Sequence, residues 1–250
     1  MDFLNALILL LNYIFVPALA YGSQLAIGAI FVTLIYGILR FANFATGDMM
    51  SFGTMIAILF TWYFQSLGLS LGFLPTALLA IPFAILFMSL YMLIIDKFVF
   101  KYYRLNKSPP VQLAMVSIGV MFVTQAVVRI IIGPSDRRFF DGEKFLIKAN
   151  EFKEMTGLNE GLAIKSTQVI TIVVTIILVS TLFWFLNKTK TGKSMRAYSD
   201  NEDLALLSGV DPKKIVMITW TIAAILATIG GVLYGLDKSF KPFTYFNNML

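Results

Sequence analysis

The residues 189–194, Thr-Lys-Thr-Gly-Lys-Ser, end as a phosphate-binding loop ends, with a lysine and a hydroxyl after glycine. That chemistry needs a second glycine at 187, where Asn187 stands, and a buried strand ahead of the loop, which the sequence lacks. The phosphate reading is therefore rejected. The sequence has no histidine and no cysteine, which removes the commonest general base, the thiolate nucleophile and the usual metal ligands. Acids do not fill the gap. Asp48, Asp96 and Asp237 are each expected at the edge of an apolar run, so no mid-span carboxylate serves ion coupling or paired acid–base work. The residues point to a conduit without chemistry of its own.

Composition says what must hold such a conduit. Of 250 residues, 58% are hydrophobic and only 14% charged, with a mean hydropathy of +0.80. The apolar runs are continuous, which predicts an all-α polytopic membrane protein and argues against a β-barrel. The net charge of +6 would suggest nucleic acid in a soluble protein. Here the basic residues flank apolar runs, as membrane orientation requires, and no nucleic-acid partner is expected. About seven spans are expected, over 3–20, 22–39, 49–66, 70–95, 111–133, 166–187 and 215–236. Gly230–Gly231 in the last predicts tight packing or a kink.

Two polar stretches interrupt the spans in informative ways. In 188–214, Ser199 with Glu202 three residues on has the capping-box pattern, and Gly209 suits a left-handed stop. Asp211–Pro212 reads as the cap and first residue of the next helix. A short helix over 200–208 is thus expected, with Leu204 and Leu207 on one face. It lies on lipid headgroups, or it is a peg for a groove in a soluble partner. The second stretch, 40–53, places Arg40, Asn43, Thr46 and Asp48 close together between spans. It reads as a short interfacial loop, or as irregular backbone at membrane depth lining a pathway. Thr124 and Gln125 sit within the fifth span, where an interhelical hydrogen bond is the plainer role and ligand contact the other.

Sidedness follows from Lys/Arg bias. The segments 96–110 and 188–214 carry a basic excess and fall on one side with 40–48, which is then cytoplasmic. The segment 134–165 balances six bases against six acids, Asp141 and Glu143 among the acids and Lys144 among the bases. It falls outside, in the periplasm. Counting seven spans places the N-terminus in the cytoplasm.

Residues 41–53, FANFATGDMMSFG, resemble a signature of the branched-chain amino-acid ABC transporter permeases, and 191–215, TGKSMRAYSDNEDLALLSGVDPKKI, resemble that family's cytoplasmic loop. The resemblance covers nearly the whole chain, treated as one permease domain over 1–250, and is nearer the LivH-like than the LivM-like member of the permease pair. It implies a multi-pass subunit of the bacterial inner membrane, not an enzyme, working in a binding-protein-dependent importer. The implied partners are two ATPase subunits, a second homologous permease and a periplasmic solute-binding protein. ATP and magnesium would be bound by the ATPase subunits, with no cofactor in this chain. The short helix becomes the coupling helix, with Glu202, Leu204, Leu207 and Gly209 in it and Gly192, Arg196 and Ala197 positioning it. Asn43, Gly47 and Asp48 carry over from the first motif as pathway or packing residues, with Thr124 and Gln125 beside them. The default cargo is a branched-chain or related amino acid. Urea or short amides on the same scaffold, or a non-ABC channel or membrane scaffold, are the alternatives. Family members continue with a Gly-rich segment and further spans, so this chain is expected to lack the last spans.

Overall fold

The computed structural model describes residues 2–242 apart from 70, 73, 140–144 and 159. Asp141, Glu143, Lys144 and the tail 243–250 therefore lie outside the described residues.

The N-terminal region departs from expectation. Helix α1 (Asp2–Leu10), a π-helical turn (Leu11–Phe15) and α2 (Val16–Leu39) run on without a break, so the two expected spans are one rod. The sequence between them has no polar run to form a turn. Pro17 directly follows the π turn, whose shifted register accommodates the N–H that proline lacks within a continuous helix. The apolar stretch Phe3–Leu39 has 37 residues, about 55 Å of helix against about 30 Å of hydrocarbon.

The remaining elements are α3 (Thr46–Ser66), α4 (Ala77–Ile95), a second π turn (Asp96–Phe100), α5 (Lys101–Leu105) and α6 (Pro110–Ile132). After them come β1 (Phe145–Ile147), α7 (Ala149–Thr156), β2 (Ile164–Lys165), α8 (Ser166–Lys188), α9 (Lys190–Asp200), α10 (Glu202–Leu207) and α11 (Pro212–Asp237). The strands β1 and β2 pair antiparallel. Much of the polar segment 96–110 is helical, because α4 continues through the π turn into α5.

Among the described residues, five helical stretches are long and apolar enough to cross a membrane. Helix α3 joins them in the bundle although it is more polar, because its first ten residues are all buried in protein and need not suit lipid. The seven expected spans are corrected accordingly. Hydroxyls within the bundle mostly bond back to their own helices, as Thr54 does to the Met50 carbonyl at 2.9 Å and Thr219 to that of Ile215 at 2.8 Å.

Helix α11 sits against α2, α3 and α4. Its contact with α2 and α3 is possible because glycines remove side chains at the crossings. A Cβ on Gly230 would lie 2.8 Å from Ile27 Cγ2, and one on Gly53 would lie 2.9 Å from Thr228 Oγ1. Gly230–Gly231 thus serve tight packing, and α11 runs unbroken through them. Toward the start of α11, Trp220 stacks on Phe100 at 5.5 Å and donates to Asp96 Oδ1 at 2.8 Å. Arg104 grips both Asp96 oxygens at 2.9 and 3.1 Å.

The two ends of the bundle are distinct. At one end Asn12 bonds Gly161 and Ala163, Trp62 and Gln65 donate to the carbonyls of Arg138 and Phe139, and Arg137 pairs with Phe240. At the other end lie Arg40, 96–105 and α9–α10. The start of the N-terminal rod is therefore on the side of 134–165. The N-terminus is expected on the side of 188–214; merging two spans into one rod puts it at the opposite end, with 134–165.

Candidate functional site

At the α9–α10 end, the polar insert is more ordered than expected. Thr189 caps α9, its hydroxyl accepting from the Gly192 N–H at 3.0 Å. Gly192 lets α9 turn back tightly on α8. A Cβ there would collide with the Phe185 carbonyl oxygen and approach Leu186 Cα to 2.6 Å. Arg196 donates to Asn187 Oδ1 at 2.9 Å, bracing the same corner. Ala197 is exposed, and its carbonyl takes the Asn201 N–H at 3.0 Å.

The expected capping box does not form. Asn201 is the cap of α10, extended at φ −152°, and its side chain accepts from the Leu204 N–H at 3.0 Å. Ser199 is still inside α9, and its hydroxyl donates to the Gly37 carbonyl of α2. Glu202 instead accepts from the Tyr198 hydroxyl at 2.8 Å. Burial first, then that carboxylate, pushes the Tyr198 hydroxyl well above the ordinary tyrosine range, so it stays a neutral donor. Helix α10 is accordingly six residues long, about 9 Å rather than the roughly 13 Å expected of 200–208.

The stop and restart follow the sequence. Gly209 sits at φ +81°, and the Val210 N–H returns to the Ala205 carbonyl at 3.0 Å. Asp211 accepts from the Lys213 N–H at 2.9 Å as Pro212 opens α11. Ala205 faces inward, whereas Leu204 and Leu207 are 61% and 85% exposed, leaving the apolar edge of α10 uncovered. A Cβ at Gly209 meets nothing within 4 Å, so backbone strain is the only obstacle to a side chain there. Gly209→Val is expected to cost about 1–3 kcal/mol. Faster proteolysis of 201–212 with an unchanged bundle is the result to look for; an unchanged cleavage rate would rule out the left-handed turn.

The second constellation lies between α3 and α6. The chain from 41 to 45 is irregular and drops back into the bundle, where Asn43 folds on itself to accept from the Ala45 N–H at 3.1 Å. The Phe44 N–H donates to Ser117 Oγ at 3.0 Å, well inside α6. Asp48, in the first turn of α3, is 3% exposed and accepts from Gln125 Nε2 at 3.2 Å. Arg129 reaches Gln125 Oε1 at 3.5 Å. Gly47 is buried beside Asp48. The Thr124 hydroxyl donates to the Val120 carbonyl at 2.8 Å and is hydrogen-bonded to the Tyr91 hydroxyl of α4 at 2.7 Å, and the Tyr91 ring stacks on Phe52 at 4.0 Å. Asp48 is thus no edge anchor. It is expected at a span edge, with no carboxylate mid-span; it lies buried opposite Gln125 instead, because the re-entry of 41–45 carries the start of α3 inward.

One residue joins the two constellations. Arg40 ends α2 in the left-handed region at φ 57°, and its guanidinium donates to the carbonyls of Ser199 and of Asp200, the latter at 2.9 Å. These are the last carbonyls of α9, where the helix dipole favours a cation. Sequence reasoning placed Arg40 in the loop without this role. It also missed Tyr91, Ser117 and the Asp96–Arg104–Trp220 set. Only the position of Arg40 beside a polar motif hinted at more.

The rods, the buried polar seam and the small exposed helix define a polytopic membrane permease. The model of the family described as "Branched-chain amino acid transport system / permease component" matches residues 14–250, and the chain belongs to that family. It is similar to the high-affinity branched-chain amino acid transport system permease protein LivH of Escherichia coli (strain K12), with 26% identity over 218 residues, 86% of this chain and 67% of the relative. The corresponding permease protein BraD of Pseudomonas aeruginosa is 26% identical over 89% of this chain and 70% of its own. A probable LivH of Methanocaldococcus jannaschii is 25% identical over 91% and 67%. No solved structure matches. The protein is a multi-pass inner-membrane permease.

Proposed function

We propose that this chain is the transmembrane subunit of a binding-protein-dependent ABC importer for branched-chain or related amino acids, driven by ATP that partner subunits hydrolyse. The single observation that carries the reading is α10. It is a capped helix with its leucine edge uncovered, held at one end of the bundle by α9 and Arg40. Such an element suits a groove in a soluble ATPase. Two ATPase subunits, a second homologous permease and an external binding protein complete the assembly, and this chain contributes no ATPase site. The segment 188–214 lies in the cytoplasm and 134–165 in the periplasm.

In this reading, movement of α10 passes through the C-terminal end of α9 to Arg40, then along 41–48 to the Asp48–Gln125–Arg129 seam. Gln125 and Arg129 are only half-buried, and lipid is a poor neighbour for them. The second permease covers that face and the pathway runs between the two. A carboxylate and a guanidinium on one seam suit a zwitterion, which favours amino acids over neutral amides.

The test is a cysteine at Ser208, which is exposed, paired with one in the ATPase groove. An ATP-dependent crosslink is expected. A stable assembly with no crosslink at any groove position would refute the docking. Sidedness has its own check. Single cysteines at Phe3 and Ser135, both exposed, should label from outside, and one at Ser208 from inside. Labelling of Phe3 from the cytoplasm would restore the separate first span.

A further inference from the structure

Three lysines converge on a cavity of about 420 Å³ between the α4–α5 extension and the start of α11, on the end of the bundle that carries α10. Lys97 and Lys101 lie one turn apart on the extension and Lys213 in the first turn of α11, with Arg104 behind them. Two carboxylates also line the cavity, and both already have partners. Asp96 is held by Arg104 and by Trp220, and Glu202 accepts from Tyr198. No carboxylate among the described residues lies within ion-pair distance of Lys97, Lys101 or Lys213. The cavity thus has an excess of cation and calls for an anion.

The rest of its lining says which kind. Leu93, Leu105, Val216 and Met217 give the wall an apolar part, and Leu105 is 70% exposed. Phe98, beside Lys97, is 73% exposed, and Ile94 is exposed one turn earlier on the same helix. A cationic pocket that opens onto an apolar helix face at the end of the spans matches an amphiphile, with its head among the lysines and its chains along the helix. A free phosphate would use the lysines and leave the apolar wall without a role. We infer that this cavity binds the headgroup of an anionic phospholipid, beside the base of α10.

The site is independent of the transport reading and is tested without it. The full chain, purified in mild detergent, is mixed with phosphatidylglycerol or phosphatidylcholine, and retained lipid is counted by native mass spectrometry. Selective retention of phosphatidylglycerol is expected. Lys97→Gln, Lys101→Gln and Lys213→Gln together should lower it about a hundredfold, each ammonium contributing as basic residues do at an anionic surface. The three Lys→Arg changes should keep it. Equal retention of phosphatidylcholine, unchanged retention in the Gln variant, or equal loss in the Gln and Arg variants would overturn the inference. Inorganic phosphate at millimolar concentration should leave the lipid in place; full displacement would make this a free-anion site instead. If an acidic segment of a protein occupies the cavity, no lipid is retained, which would also overturn the assignment.

Discussion

Gly231→Val is expected to give a chain that inserts but does not close its bundle. A Cβ at Gly231 would collide with Thr54 Oγ1 and lie 2.9 Å from the Met50 carbonyl oxygen. Neither obstacle is a flexible tip. Met50 contributes backbone, and Thr54 is held by its bond to the same carbonyl. Relief requires α3 and α11 to separate, and α11 also packs on α2 and α4. Overpacking of this kind costs about 1–3 kcal/mol for a single methylene, and valine adds more. Unfolding in mixed micelles should shift by at least that amount, and the purified variant should elute as a broad species. At Gly119, where a Cβ meets nothing within 4 Å, Val should be tolerated. Equal behaviour of the two variants would show that the α3–α11 contact is looser than described.

Asp48→Asn is expected to abolish most uptake while leaving the fold and binding-protein-stimulated ATP hydrolysis in place. Asparagine keeps the acceptor for Gln125 and removes only the charge that faces the Gln125–Arg129 pair. Asp48→Ala should do more. It leaves the Gln125 amide without its Asp48 acceptor, and losing a hydrogen bond to a charged group in this way costs about 1.5–3 kcal/mol. The informative result is the split between them. Lost uptake with normal stability in the Asn variant supports a pathway role. Normal uptake in Asn with instability in Ala would make the cluster a strut between α3 and α6.

What the sequence made legible was local. Gly209, Asp211 and Pro212 announce a stop and a restart that few other arrangements permit, and the structure has both. Ser199 and Asn201 are equally good capping types, and the local signal, Glu202 three residues after Ser199, favours the one that does not cap. The choice is made elsewhere: Gly37 and Arg40 of α2 hold the end of α9, which keeps Ser199 helical and moves the break to Asn201. The seven-span count failed for a similar reason. Hydropathy registers apolar length, and it does not register whether a π turn carries the helix through Pro17. The depth of Asp48 was illegible because it depends on 41–45 folding inward, a property of packing against Ser117 and not of the residues themselves. The membership of Asp48 and Gln125 in one cluster, two helices and many residues apart, needed coordinates.

The attachment of Arg40 to α9 has a mechanical consequence. On the proposed reading, force applied at α10 reaches the seam through an exposed guanidinium and two carbonyls, whereas the crossings of α2, α3 and α11 are buried and glycine-tight. The transmission is therefore softer than the machine it drives. Exposed charged contacts weaken with salt and mild denaturant well before buried packing does. Rising ionic strength should make the transporter slip, spending more ATP per molecule moved, at concentrations where its melting behaviour has not changed.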